Sequence, residues 1–357
     1  MEKEPYPLFV GGEFYADNRW QTDRKTLATD GMTFLSGGRA CLMVTAAFLR
    51  DHGISRILLP SYLCPSILNT FEACGLSWDF YAINPDFSMN LQSILSSLKE
   101  HQAFYFINYF GFTHNPSSLI FMNALKHSNV LLIEDNAQLG FLSQTTGHFV
   151  LNSMRKLCPQ DGGYLQTRFD LQPYLSPSRS TPNRRLPIIR EYRRKLRDYL
   201  FSEKGSFEEL QSLFEMAETY YVEDSIILGD EQERWQIERL DWDAIKTKRR
   251  QNYHELLQLI APINYLQPIF PNLQADAMPL GLPVYVNGIP RDELNDYLGE
   301  NSIGLTIHWD DILTHPVLMH NTQVHSMASK ILTLPVDQYT EPRQLNYLVE
   351  KLKTFAK

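Results

Sequence analysis

Two carboxylates, an amine and a glycine pair follow one another between Val130 and Gly163, in VLLIEDNAQLGFLSQTTGHFVLNSMRKLCPQDGG. The run Val130-Leu131-Leu132-Ile133 has the length and branching of a fully buried strand, yet it ends abruptly in Glu134 and Asp135. Acids do not end a buried strand by default. About twenty residues on, a second β-like run, His148 to Leu151, leads into Ser153-Met154-Arg155-Lys156, and Gly162-Gly163 opens a third, Tyr164 to Thr167. In an open α/β sheet the ligand lies outside the carboxyl ends of the strands, so such an arrangement turns Asp135 and Lys156 toward one pocket.

An acid and an amine at neighbouring strand ends suit several chemistries, and one uses both in fixed roles. Pyridoxal phosphate needs a lysine amine to condense with its aldehyde, and a carboxylate to keep its ring nitrogen protonated so that the ring acts as an electron sink. The order IEDNAQ, SMRK, DGGYLQT resembles the DegT/StrS-type sugar aminotransferases, pyridoxal phosphate enzymes of the aspartate aminotransferase fold. The resemblance runs from about residue 30 to 355 and is densest over 131–167. It implies Asp135 on the pyridine nitrogen, Gln138 on the ring's phenolic oxygen, and Lys156 as the attachment point that later moves the substrate proton. The family's phosphate-binding serine falls on Leu151 here; either Ser153, on a changed backbone path, or Arg155 takes that part.

Other segments position this stretch. Residues 32–52 read as a short strand, a Ser36-Gly37-Gly38 turn and a helix, and a glycine turn at a helix start exposes free N–H groups to an anion. The family holds the cofactor phosphate here with Ser-Gly-Thr-Ala-Ala-Leu, which puts Gly38 in the glycine place and Arg39 in the threonine place. Arg39 then either pairs with the phosphate bidentately or points away and leaves the backbone cradle. Pro60 to Pro65 is a rigid loop; alignment puts Cys64 where the family stacks an aromatic ring, and Tyr62 is the flat ring nearest to it. As a structural residue, Tyr62 caps the loop instead. Asn108 falls where the family commonly has a His/Asn-x-x-Gly turn, which the resemblance implies lies beside the substrate. His308, in NSIGLTIHW, either faces the substrate or is a satisfied structural histidine. The family's Asn-Tyr-Arg lead-in, whose asparagine reaches the partner subunit's phosphate, has no counterpart; the count lands on Val222-Glu223-Asp224.

With 357 residues, 43% hydrophobic and 21% charged, the chain has enough apolar content for one large core and a smaller one. Alternating strands and helices predict an α/β fold: an N-terminal arm (1–30), a large domain with a mostly parallel, helix-covered sheet (31–230), and a small α+β domain (231–357). The net charge of -8 argues against a nucleic-acid surface. The basic cluster from Arg184 to Arg197 reads as an amphipathic helix with a solvated face. Cys41, Cys64, Cys74 and Cys158 show no metal spacing, no metal site is expected, and a cytoplasmic address follows. No run approaches the roughly 20 apolar residues of a membrane span. No GxGxxG follows any strand, so a dinucleotide site lacks its phosphate turn.

The resemblance implies a homodimer and a ping-pong transamination, with glutamate or glutamine as donor and a nucleotide-linked keto sugar as acceptor, in polysaccharide or secondary-metabolite biosynthesis. The alternatives are a lyase or dehydratase on the same fold, against which Lys156 argues because the family's dehydratases carry histidine there, and a non-catalytic relative that binds a sugar or a partner protein.

Overall fold

The computed structural model describes residues 9–98, 101–176, 181–222 and 226–355. After a two-residue strand, β1 (Val10–Gly11), strands and helices alternate: β2 (Thr33–Leu35), α1 (Gly38–Asp51), β3 (Arg56–Pro60), α2 (Pro65–Ala73) and β4 (Ser77–Tyr81). The alternation continues through α3 (Leu91–Ser97), β5 (Ala103–Ile107), α4 (Pro116–Lys126) and β6 (Leu131–Asp135). With β7 (Phe149–Leu151) and β8 (Gly163–Thr167) they build a seven-stranded sheet in the order β2-β8-β7-β6-β5-β3-β4. Only β8 opposes its neighbours; the other pairings are parallel. Parallel strands are covered on both faces, which is why β5 is buried at every position and β6 from Leu132 onward.

Local chemistry starts the helices where the sheet needs them. Pro65 opens α2 and Pro116 opens α4, positions whose missing N–H costs nothing. Asn115 caps α4 by accepting from the Ser118 N–H. The first helix, α1, is buried along most of its length and lies over β7 and β8.

Beyond the sheet come α5 (Gln172–Leu175), α6 (Arg185–Ser202), α7 (Phe207–Thr219), α8 (Glu231–Ile237) and the long α9 (Trp242–Ile260). α6 is amphipathic as expected, but its basic residues are not all solvated. Arg185 and Arg193 are buried in the same stripe as Ile189, Leu196 and Leu200, while Arg194 faces water. Their i, i+4, i+8 spacing puts them on the inner face, where Asp161 supplies the counter-charge. Ile237 of α8 joins Phe34 and Tyr164 of the large sheet in one apolar cluster.

The remaining elements are β9 (Leu266–Pro268), β10 (Leu282–Val286), α10 (Arg291–Glu300), β11 (Ile303–Gly304), α11 (Thr322–Ala328), β12 (Ile331–Leu334) and α12 (Pro342–Phe355). β12, β10 and β9 form an antiparallel sheet in that order, and β1 pairs in parallel with β11. Among the described residues no helix is long and apolar enough to cross a membrane.

The Gly162-Gly163 pair has a steric cause. A Cβ on Gly163 would stand 2.6 Å from the Asn152 carbonyl oxygen and 2.7 Å from the Gly37 carbonyl carbon, both backbone atoms. Only a bare Cα lets β8 start between β7 and the turn before α1. Gly163→Ala is therefore expected to cost more than about 2 kcal/mol of stability, whereas Gly299→Ala, in α10 with nothing within 4 Å of the new Cβ, gains roughly 0.5–1 kcal/mol. Denaturant unfolding of both variants checks the contrast.

Candidate active site

The sheet register brings the acid and the amine together. Asp135 lies opposite Leu151 in the β6–β7 pairing, so the chain leaving β7 turns at once across the end of β6. A short 3-10 turn, Met154–Lys156, follows, and Asp135 and Lys156 both line a cavity of about 390 Å³ along the carboxyl edge of the sheet. That volume suits a small-molecule ligand. The two acids of the motif part company because strand residues alternate between faces. Glu134 accepts from the Thr146 and Gly147 N–H groups at 2.7 and 2.9 Å and holds the following loop. Asp135 accepts from the Tyr105 hydroxyl at 2.5 Å and the Ala137 N–H at 2.8 Å.

The electrostatics of the pair are reciprocal. Burial pushes the Asp135 carboxyl above the usual carboxylate range, while Tyr105, Ala137 and the Lys156 charge pull it back. Burial pulls the Lys156 ammonium below its usual range, with Asp135 opposing and Arg155 assisting. Lys156 makes no hydrogen bond or salt bridge among the described residues.

The other end of the cavity is an anion cradle. Gly38 and Arg39, in the first turn of α1, line it together with Ser153 and Arg155. A Cβ on Gly38 would come within 3.1 Å of the Ser153 Cβ, so the bare glycine keeps the helix start close to the lysine turn. The Arg155 Nε is buried without a partner. Arg39 donates to the Tyr221 carbonyl and packs over the Tyr221 ring.

His308 also lines the cavity, with Nδ1 3.0 Å from the Thr333 hydroxyl. Tyr62, Asn108 and Gln138 do not line it. The Tyr62 ring is buried in an aromatic group with Phe87, Tyr109 and Trp309, and its hydroxyl donates to the His308 carbonyl. Cys64 lines the cavity in its stead. The Asn108 amide donates to Asn136 Oδ1 at 2.6 Å and, more weakly, to Glu134. Gln138 accepts from the Phe110 N–H at 2.7 Å, and its Nε2 is buried without a partner. Glu223 and Asp224 lie outside the described residues. Among the described residues no cluster of His, Cys, Asp and Glu is arranged to hold a metal ion.

No protein-family model matches this chain, and no curated protein matches it in sequence. Solved structures do match in fold. The sugar aminotransferase CalS13 from Micromonospora echinospora superposes with a TM-score of 0.65 at 15% identity, over 90% of this chain and 87% of that one. A DegT DnrJ EryC1 StrS aminotransferase from Brucella abortus gives 0.61 at 17%, over 91% and 85%. The PLP form of Spr1654 from Streptococcus pneumoniae gives 0.65 at 12%, over 96% and 92%. This chain has the fold of those aminotransferases. The α/β architecture read from the sequence, a large mostly parallel sheet with a smaller α+β part, is the one observed.

Several site residues carry no local signal in the sequence. Gly11, Gly12, Glu13 and Phe14 of the arm form one wall. Arg249 of α9 is fully buried and, among the described residues, donates to neutral oxygens: Gln338 Oε1 at 2.7 Å and the carbonyls of Pro279, Leu280 and Leu157 at 3.0, 3.2 and 3.3 Å. Gln338 Nε2 also donates to the Leu157 carbonyl, at 2.8 Å. The carbonyl of Leu157, the residue after Lys156, is thus clamped from α9 and from the turn after β12. Tyr221, inside a group of arginines, lines the cavity as well.

Burial, with the Lys156 charge adding to it, pulls the His308 imidazole down to about 3 from 6.5. The unfolded chain takes up this proton as pH falls below its value and the folded chain does not, so stability is lost from about pH 6.5 downward to about 3. By about pH 5.5 the loss is about 1.4 kcal/mol. His308→Gln lacks this titration. The unfolding free energy of the variant relative to wild type should therefore be level above about pH 7.5 and rise by about that amount by pH 5.5. His114, held down to about 4 by burial, titrates in both proteins and cancels in the comparison.

Proposed function

We propose that the cavity binds pyridoxal 5'-phosphate and that the chain is an aminotransferase acting on a keto sugar. The observation that carries this is the union, in one cavity at the carboxyl edge of the sheet, of a buried carboxylate, a lysine with no hydrogen-bond partner, and an anion cradle at a helix start. The residues present fit the group on their own chemistry. Gly38, Arg39, Ser153 and Arg155 would take the phosphate, and the partnerless Arg155 Nε is a buried donor in search of an acceptor. Asp135 would face the ring nitrogen, its orientation set by Tyr105 and Ala137. Gln138 Nε2 is also a partnerless donor, but it lies behind the cavity lining, so no contact with the ring is assigned to it.

Pyridoxal phosphate supplies an electron sink that stabilises negative charge on the substrate carbon next to nitrogen. The rest falls to the protein. Burial lowers the proton affinity of Lys156 Nζ and so favours the neutral amine, the form that both nucleophilic attack and proton transfer require. Asp135, raised by burial, is stabilised in its charged form by a cation placed against it, and a protonated ring nitrogen is such a cation. His308 stays neutral and keeps its hydrogen bond to Thr333, so it adds no competing charge near Lys156. The Arg249 and Gln338 clamp on Leu157 fixes the turn that aims the lysine. The CalS13 structure, that of a sugar aminotransferase, supports a sugar as acceptor. The amino donor, glutamate or glutamine, rests on the family resemblance of the sequence alone.

Absorption spectroscopy with added pyridoxal phosphate tests the reading. Wild type should develop a visible band that glutamate or glutamine bleaches, and Lys156→Ala should show neither band nor turnover, the latter falling at least about 10²-fold. A band that persists unchanged in Lys156→Ala would put the attachment elsewhere. No band at saturating cofactor would leave a sugar- or partner-binding protein built on this fold.

A further inference from the structure

Tyr221 follows α7 in a short 3-10 turn, Tyr220–Val222, and its ring is surrounded by guanidinium groups. Their Cζ atoms stand 4.3 Å (Arg155), 4.8 Å (Arg39) and 4.9 Å (Arg185) from the ring centroid. The arginines come from separate places: the lysine turn, the first turn of α1 and the first turn of α6. The Tyr221 hydroxyl packs on the glycine just before α1, 3.0 Å from where a Cβ on Gly37 would stand. The same ring forms part of the wall of a second, smaller cavity of about 30 Å³, lined also by Ser36, Gly37, Asn183 and Arg185. Tyr221 and Arg39 thus divide that cavity from the main one.

Cations that converge on one point repel each other unless something negative sits there. Glu218 faces Arg155 at 3.4 Å and Arg185 at 3.0 Å, and Asp161 pairs with Arg185 and Arg193. Arg39 has no carboxylate partner among the described residues. The Nε atoms of Arg155 and Arg185 are buried without an acceptor, so donors exceed acceptors around the ring. The negative face of the ring meets this demand only in part. Burial acts to raise the phenol's pKa, and the guanidiniums of Arg155, Arg185 and Arg39, with Lys156, outweigh it and draw it down.

We propose that Tyr221 is a plug: its ring occupies the point on which Arg39, Arg155 and Arg185 converge, and a phosphate dianion, free or as a phosphomonoester, binds there by displacing it. The proposal rests on the reading of the cradle as a phosphate site. A phosphate has the charge and the strong acceptor oxygens that the orphaned donors lack. Because the ring must leave first, the apparent affinity for phosphate lies below the intrinsic one by the fraction of open molecules.

Calorimetric titration of the full chain with inorganic phosphate, pyridoxal phosphate and pyridoxal separates the outcomes. Tyr221→Ala should bind phosphate and pyridoxal phosphate about tenfold or more tightly than wild type, with pyridoxal, which lacks the phosphate, unchanged. Tyr221→Phe keeps the ring and should stay close to wild type. Phosphate binding that is equal or weaker in Tyr221→Ala overturns the plug and leaves Tyr221 as a phosphate ligand or a bystander, with the cradle intact. Absence of phosphate binding in every protein, with pyridoxal phosphate bound no better than pyridoxal, overturns the cradle itself. Should Tyr221→Ala fail to fold, fluorine NMR of wild type carrying 3-fluorotyrosine decides the matter, the Tyr221 signal being identified by its loss in Tyr221→Phe. That signal must shift on adding phosphate, and one unmoved at saturation overturns the proposal.

Discussion

The register that sets Asp135 opposite Leu151 decides where chemistry is available in this molecule. Parallel strands all end at one edge, so the loops after β3, β5, β6 and β7 and the helix after β2 open on the same side of the sheet. A one-residue slip of β6 would exchange Glu134 and Asp135 between faces. The acid now bonded to the Thr146–Gly147 backbone would then enter the cavity, and the one bonded to Tyr105 would leave it.

Around that edge, buried charge organises the packing. Asp161 binds Arg185 and Arg193, and its N–H donates to Glu233, which is itself paired with Arg190. These contacts join α6 and α8 to the loop that precedes β8. An ion pair out of water is costly unless its remaining donors and acceptors are met. Here they are met unevenly: Arg193 retains Nε and Nη1 without partners, while the hydrogen bonds of Arg249 among the described residues go to neutral carbonyl and amide oxygens. The polar interior thus holds an excess of cationic donors close to the cavity.

Much of this was legible in the sequence. The apolar run ending in acids, the lysine after the next run and the paired glycines all express strand periodicity and steric need over a few residues, and those are local properties. What was not legible depends on partners distant in the chain. Tyr62 has the right ring for stacking, but its hydroxyl finds an acceptor at the His308 carbonyl, and satisfying it outweighs exposing the ring face. Asn108 is drawn away by Asn136, an amide in a neighbouring strand-end loop. The arginines of α6 look like a solvated face by composition. Their spacing with Ile189 was the available signal, and the acid that admits them to the interior comes from the DGG motif. Tyr221 sits in a short turn, and only the assembled elements around it reveal its setting.

The pairing of β1 with β11 joins Val10 to Ile303. A polypeptide leaves the ribosome from its N-terminus, so Val10 emerges with its partner roughly three hundred codons behind. At about 5–20 residues per second, the wait is on the order of 15–60 s. Through that interval the wall made by Gly11 to Phe14 lacks the strand that anchors it, and the sheet edge with Asp135 and Lys156 stands open on that side. The pocket is therefore closed only after the last third of the chain has arrived, and Lys156 stays open to water until then.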